Sequence, residues 1–257
     1  MGDARPGPVP VLMYHSIGGS DRLAVRPEAF AEQLAYLKDT GYTPITFGEL
    51  VRRRPATGRP VVITFDDGYA DFHERALPLL DRFGFRATVF VTTGWIRDAG
   101  PYAAGRPLGR MLSWKQAEEI TACGVEVGGH GHSHAQLDQL GHAVLRTELL
   151  RSKRLLEDRL GRAVTTMAYP YGYSSARVRR EVRAAEYDAA CAVANALPAA
   201  DEDPMAVPRL TVRAGTSLTG FERALRGRGF LVDHALTKGY AVVRRSHYAV
   251  RRLRGTV

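Results

Sequence analysis

Two cysteines in 257 residues, Cys123 and Cys191, are too few for a disulfide scaffold, and neither has a partner at CxxC spacing. Both lie among apolar residues, which predicts packed core thiols. No stretch approaches the ~18 consecutive apolar residues of a membrane-spanning helix. The opening MGDARPGPVPVLMYHSI lacks the basic-then-apolar pattern of a secretory signal. The chain therefore reads as cytoplasmic, with an extracellular or cell-surface location as the alternative. There is no internal repeat and no low-complexity linker. Phosphate loops of the GxGxxG or GxxxxGK type are also missing, which weighs against nucleotide chemistry.

Acidic residues are scarcest at the C-terminal end. The net charge is +9. Lys238, Arg244, Arg245, Arg251, Arg252 and Arg254 stand against Asp233 alone after residue 230, so more than half of the excess lies there. The chain thus divides into a body, 1–230, and a basic tail, 231–257. The body is only mildly basic, which argues against nucleic-acid binding. The tail segment RRSHYAVRRLR interleaves basic and apolar residues, a pattern suited to an anionic membrane surface or an acidic partner, although a merely solvated basic end fits it equally well.

What the body does contain is an alternation of short apolar runs and amphipathic segments. VPVLMYH, YTPIT, RPVVITFDD, RATVFVTTG, VEVGGH, AVTTMAYPYG, YDAACAV and PRLTV read as strands. Between them, PEAFAEQLAYLKDTGY reads as a helix with Phe30, Leu34 and Leu37 on one face and Gly41 as its stop. SWKQAEEITACG is a helix with Ser113 as its N-cap. The longest helix spans about 143–160 and stops at Gly161. Strand-then-helix repetition implies a parallel sheet covered by helices. Seven to eight such units predict an α/β architecture, a distorted, partly closed (β/α) barrel. Phe65, Phe90 and Met167 are expected to fill it, and Trp114 to pack its helix.

In such a barrel the chemistry sits where strands end. Four strand ends carry reactive groups: His15; Asp66 and Asp67; His130, His132 and His134; and Tyr169, Pro170 and Tyr171. Two adjacent carboxylates after a buried apolar run cost several kcal/mol unless cations or donors receive them, by the order-of-magnitude rule for buried charge. His130 and His134 are four residues apart, so one helical turn would bring both imidazoles to one face, with His132 directed elsewhere. Two imidazoles and one carboxylate make a three-ligand catalytic metal site with open positions. Adjacent residues at a strand end project differently, so one carboxylate can hold the metal while the other takes a proton from water.

The motifs resemble those of polysaccharide deacetylases, the NodB-homology group of carbohydrate esterases, from about Val9 to Val212. TFDDGY is similar to their first signature, which implies Asp66 as base and Asp67 as metal ligand. HGHSH is similar to the second, His-Ser/Thr-x-x-His, which makes His130 and His134 the other ligands, with Gly131 in place of the usual hydroxyl residue. AYPYG resembles the third, Arg-x-Pro-Tyr/Phe; it implies the Tyr171 backbone N–H as an oxyanion donor, with Ala168 in place of the arginine. That arginine orients the catalytic carboxylate in the family, and Arg209 in VPRLTV is the candidate substitute. The late signature that supplies a general-acid histidine is missing. A permuted subgroup, similar to poly-N-acetylglucosamine deacetylases, takes this acid from an N-terminal Tyr-His strand, which His15 matches. The resemblance implies a metal-dependent hydrolase, zinc being the expected ion, that deacetylates N-acetylated amino sugars in a glycan or glycoconjugate. The rival readings are a carbohydrate-binding relative without catalysis and a non-haem iron enzyme.

Overall fold

The structure is a computed structural model describing residues 8–20, 22–52 and 58–228. The basic tail, 231–257, lies outside the described residues. Strands β1 (Val11–Tyr14), β2 (Tyr42–Ile45), β3 (Arg59–Phe65), β4 (Thr88–Val91), β5 (Glu126–Gly129), β6 (Thr166–Ala168), β7 (Ala189–Cys191) and β8 (Leu210–Thr211) form one sheet. Its order is β7-β6-β5-β4-β3-β1-β8, with β2 paired beside β3. Every pairing is parallel. The sheet curls until Val207, just before β8, bridges Cys191 at the end of β7. This is the partly closed barrel expected from the strand–helix alternation.

The helices are α1 (Pro27–Asp39), α2 (Phe47–Val51), α3 (Leu77–Phe83), α4 (Trp114–Ala122), α5 (His142–Leu160), α6 (Ala176–Ala184) and α7 (Leu218–Leu225). α1 buries Phe30, Leu34 and Leu37 at the spacing read from the sequence. α5 stops at Gly161, which takes a left-handed φ of 63° as helix-ending glycines do. Ser113 caps α4 by accepting the Gln116 N–H, and Gln116 bonds back to the Ser113 N–H. We expect Ser113→Ala to cost about 1 kcal/mol in urea unfolding, the usual worth of such a cap.

Side chains on a strand alternate between two faces, and two cores follow. Val61, Ile63 and Phe65 of β3 face the helices with Phe30, Leu34 and Phe72. Val62 faces the barrel interior with Val11, Phe47, Phe90, Ala168 and Cys191. Only Phe90 of the three expected barrel fillers lies inside. Phe65 and Met167 belong to the outer layer against the helices, because one residue of register exchanges the faces. Trp114 is buried in that outer layer with the Arg159 guanidinium 5.4 Å from its ring. Cys191 is a packed thiol as expected, whereas Cys123 is exposed, because it caps α4 and points away from the helix's buried stripe.

The strand order has one consequence for chemistry. β1, first in sequence, lies between β3 and β8, the last strand. Residues near 15, 66 and 209 therefore meet at one end of the barrel, although almost the whole chain separates them.

Candidate active site

The end of β3 sends its two carboxylates in different directions. Asp66 continues the strand and donates its N–H to the Tyr14 carbonyl of β1. Its side chain follows Val62 and Thr64 into the barrel, where Arg209 receives it. Nη1 donates to Oδ1 at 2.6 Å and Nη2 to Oδ2 at 2.7 Å. Arg209 is fully buried and also donates to Thr64 Oγ1 and the Ala192 carbonyl. Burial alone would raise the Asp66 pKa, but the Arg209 charge and its paired hydrogen bonds hold it below the usual carboxylate range. The substitute arginine inferred from the sequence thus meets Asp66 directly.

Asp67 turns the other way. Its φ of 73° is left-handed, a region L-residues enter at about 1–2 kcal/mol. Gly68, with φ 87°, completes the reversal. The turn brings Asp67 Oδ1 to 3.4 Å from His130 Nε2 and 3.1 Å from His134 Nε2. His130 follows β5 directly, and His134 lies in the loop beyond it with φ 60°. The expected helical turn between them is not formed: residues 130–136 are an irregular loop, and backbone conformation, not helical spacing, brings the imidazoles together. His132 is turned aside, as expected, with Nδ1 2.9 Å from Thr93 Oγ1. Left-handed backbone at Asp67, His134 and Tyr171 (φ 62°) concentrates strain around one point, a pattern typical of functional sites.

The three ligand atoms lie within 4.8 Å of one another. Their donor chemistry fits a divalent cation. Ala168 O accepts a hydrogen bond from His130 Nδ1 at 2.8 Å. A carbonyl only accepts, so Nδ1 carries the proton and neutral His130 presents a lone pair at Nε2. Among the described residues, the buried Asp67 Oδ1 has no hydrogen-bond donor. Acceptors converging without a donor are what a bound cation resolves. In the bare protein, burial disfavours the charged form of both groups. The Asp66 and Asp67 charges nevertheless hold His130 above the ordinary imidazole value, and the imidazoles hold Asp67 far below the usual carboxylate range.

His15 directly follows the Tyr14 carbonyl that bonds Asp66, and its Nδ1 is buried without a partner among the described residues. Burial pushes its pKa down, against the pull of Asp66 and Asp67. The loop beyond it is anchored where Asp71 accepts from Ser16 Oγ and the Ile17 N–H. Tyr171 is exposed, with its ring edge-on to His134 at 4.7 Å between centroids. On its other side His134 stacks on Trp95 at 4.6 Å. Trp95, in the turn after β4, was not singled out from sequence, because nothing marks an isolated tryptophan as a histidine's neighbour. It also lines a groove of about 420 Å³ with Ile96, Arg97, Arg110 and Met111.

YxkH of Bacillus subtilis (strain 168), which bears a polysaccharide deacetylase name, is 27% identical over 223 residues, covering 84% of this chain and 76% of YxkH. A poly-beta-1,6-N-acetyl-D-glucosamine N-deacetylase of Staphylococcus aureus (strain MSSA476) is 26% identical over 161 residues, covering 58% of this chain and 54% of that protein. This chain's match thus spans about half of that relative's length. The structure of the Streptococcus pyogenes deacetylase PplD in complex with acetate superposes with a TM-score of 0.76 at 25% identity, covering 86% of this chain and 99% of that one. Residues 53–190, from the approach to β3 through the middle of β7, match the sequence model of polysaccharide deacetylases, and with more than half of its length inside that match the chain belongs to this family.

Proposed function

We propose that this protein is a metal-dependent N-deacetylase acting on N-acetylglucosamine-type amino sugars within a glycan. One observation carries the reading: a buried aspartate oxygen without a donor faces two imidazole nitrogens, one of them held by Ala168 O in its ligating tautomer. Family membership and the similarity to a poly-N-acetylglucosamine deacetylase support the substrate class. The groove beside Trp95 offers room for sugars flanking the reacting one, which favours a polymer.

Asp67, His130 and His134 would hold the ion, most simply zinc. When bound, the ion supplies a polarised acetyl carbonyl and a water of lowered pKa. Asp66, fixed by Arg209, takes the proton from the attacking water. The Tyr171 N–H donates to the oxygen that becomes negative as the carbonyl carbon turns tetrahedral. His15 gives a proton to the sugar nitrogen as the C–N bond breaks. Asp66 and Asp67 pull against the burial that lowers its pKa, and so favour the protonated form that this step needs. Acetate leaves, and the sugar retains a free amine that becomes cationic.

The purified chain should release one acetate per new primary amine from β-1,6-linked N-acetylglucosamine oligomers with zinc present. Release should stop on chelation and return with zinc. Clean one-to-one zinc binding without acetate release from any N-acetylated sugar oligomer would make it a non-catalytic relative. Oxygen-dependent turnover with iron would replace the hydrolase reading altogether.

A further inference from the structure

The loop carrying His134 has a difficulty of its own. Gly131 has φ 73° and no side chain, and His134 has φ 60°, so the segment between the two ligands contains a freely rotating residue and a strained one. Backbone bonds secure part of it: Thr93 N–H donates to Gly131 O at 3.3 Å and Gly94 N–H to His132 O at 2.7 Å. These end at residue 132. Beyond it the anchor is Glu148 of α5. Its Oε1 accepts the Ser133 N–H at 2.6 Å and the Ser133 Oγ–H at 2.6 Å. Glu148 lies on the buried face of α5 with Leu145, Leu149 and Ser152. A side chain built onto Gly131 would begin 3.7 Å from the same carboxylate oxygen. The carboxylate therefore lies within reach of position 131 but is engaged by a hydroxyl two residues later.

We infer that Ser133 and Glu148 form a latch that positions His134 for the metal, so that Ser133 supplies the loop-holding hydroxyl that Gly131 lacks. Glu148 is a positioning residue here, acting through Ser133 on the neighbouring ligand. Two donors on one buried carboxylate oxygen make a strong and directional restraint. A helix of 19 residues packed on the sheet is a rigid place to fix it. The inference rests on the metal reading above.

The test measures zinc affinity by chelator competition, together with amide hydrogen exchange across 131–134 in the metal-free protein. Glu148→Ala should weaken zinc binding roughly 10–100-fold, the usual loss when the partner of a metal ligand is removed. It should also speed exchange at Ser133 and His134. Ser133→Ala, which keeps the N–H bond and disturbs the core less, should show a smaller loss in the same direction, and Glu148→Gln should recover part of it. Leu149→Ala, on the same helix but off the loop, should lower the melting temperature and leave zinc affinity unchanged. If Glu148→Ala and Ser133→Ala both bind zinc like the parent, the latch is wrong and the metal site stands. If Leu149→Ala weakens zinc as much as Glu148→Ala, the effect is general destabilisation and the latch is equally wrong. If the parent itself binds no zinc, the metal reading fails and the latch falls with it, a result told apart by the parent's own titration.

Discussion

Asp67→Asn should bind zinc about 10²–10³-fold more weakly than the parent and release acetate at background. A structural zinc site is worth roughly 10–16 kcal/mol over four ligands, so one charged ligand accounts for about 3–4 kcal/mol. Asparagine is the informative replacement, because it keeps the shape and tolerates the left-handed φ of 73° that alanine would strain against. The zinc increment separates ligation from a purely structural role. In the parent, zinc at 1,000 times its Kd adds about 4 kcal/mol to unfolding, by mass action; in Asp67→Asn the same concentration should add far less. Without zinc, the variant should lose some stability at neutral pH, since the imidazoles that hold the Asp67 carboxyl far below the usual range stabilise its charge in the folded state. Paired thermal melts with and without zinc check both statements. A variant that melts early in both conditions, with an undiminished zinc increment, would mean that Asp67 is structural.

How much of this was legible beforehand depends on where the information lies along the chain. TFDDGY and HGHSH are contiguous, and their residue types alone restrict the chemistry. Arg209 is legible only by need: Ala168 stands where an arginine should support the base, and a later strand offers one. The strand order explains why that works, since β8 returns beside β1 and sets Arg209 against Asp66. Neither His15 nor Arg209 lies within the matched residues 53–190. What sequence could not supply was backbone. Ala168 holds His130 through its carbonyl, which any residue could present. The left-handed turns at Asp67 and His134 leave no compositional mark, so the four-residue spacing of the histidines suggested a helix where the chain makes a loop. Phe65 and Met167 were assigned to the wrong face for a related reason: an apolar run buried on both sides has no alternation from which to read its faces.

The second large effect is at the pair that holds the base. Arg209→Met should lower acetate release roughly 10²–10⁴-fold, the usual worth of a general base, and should reverse the pH dependence of stability at this position. In the parent, the folded-state pKa of Asp66 lies below its unfolded value. Its contribution is present above the unfolded pKa of about 4 and is lost as pH falls through the lower folded value. Without Arg209 the carboxylate stays buried without the cation that pairs both its oxygens, and its folded pKa rises above the unfolded one. Stability is then intact at low pH and falls as pH rises, and at neutral pH the loss should reach about 3–5 kcal/mol, the cost of breaking a buried pair. Adding Asp66→Asn to Arg209→Met removes the stranded charge, so the double variant should recover much of that stability while regaining no turnover, a coupling that additive effects would not produce. Urea unfolding at several pH values, beside acetate assays of the two singles and the double, measures it. Equal losses at pH 4 and pH 8 in Arg209→Met would show that the arginine packs the barrel beneath Phe90 without controlling the charge of Asp66.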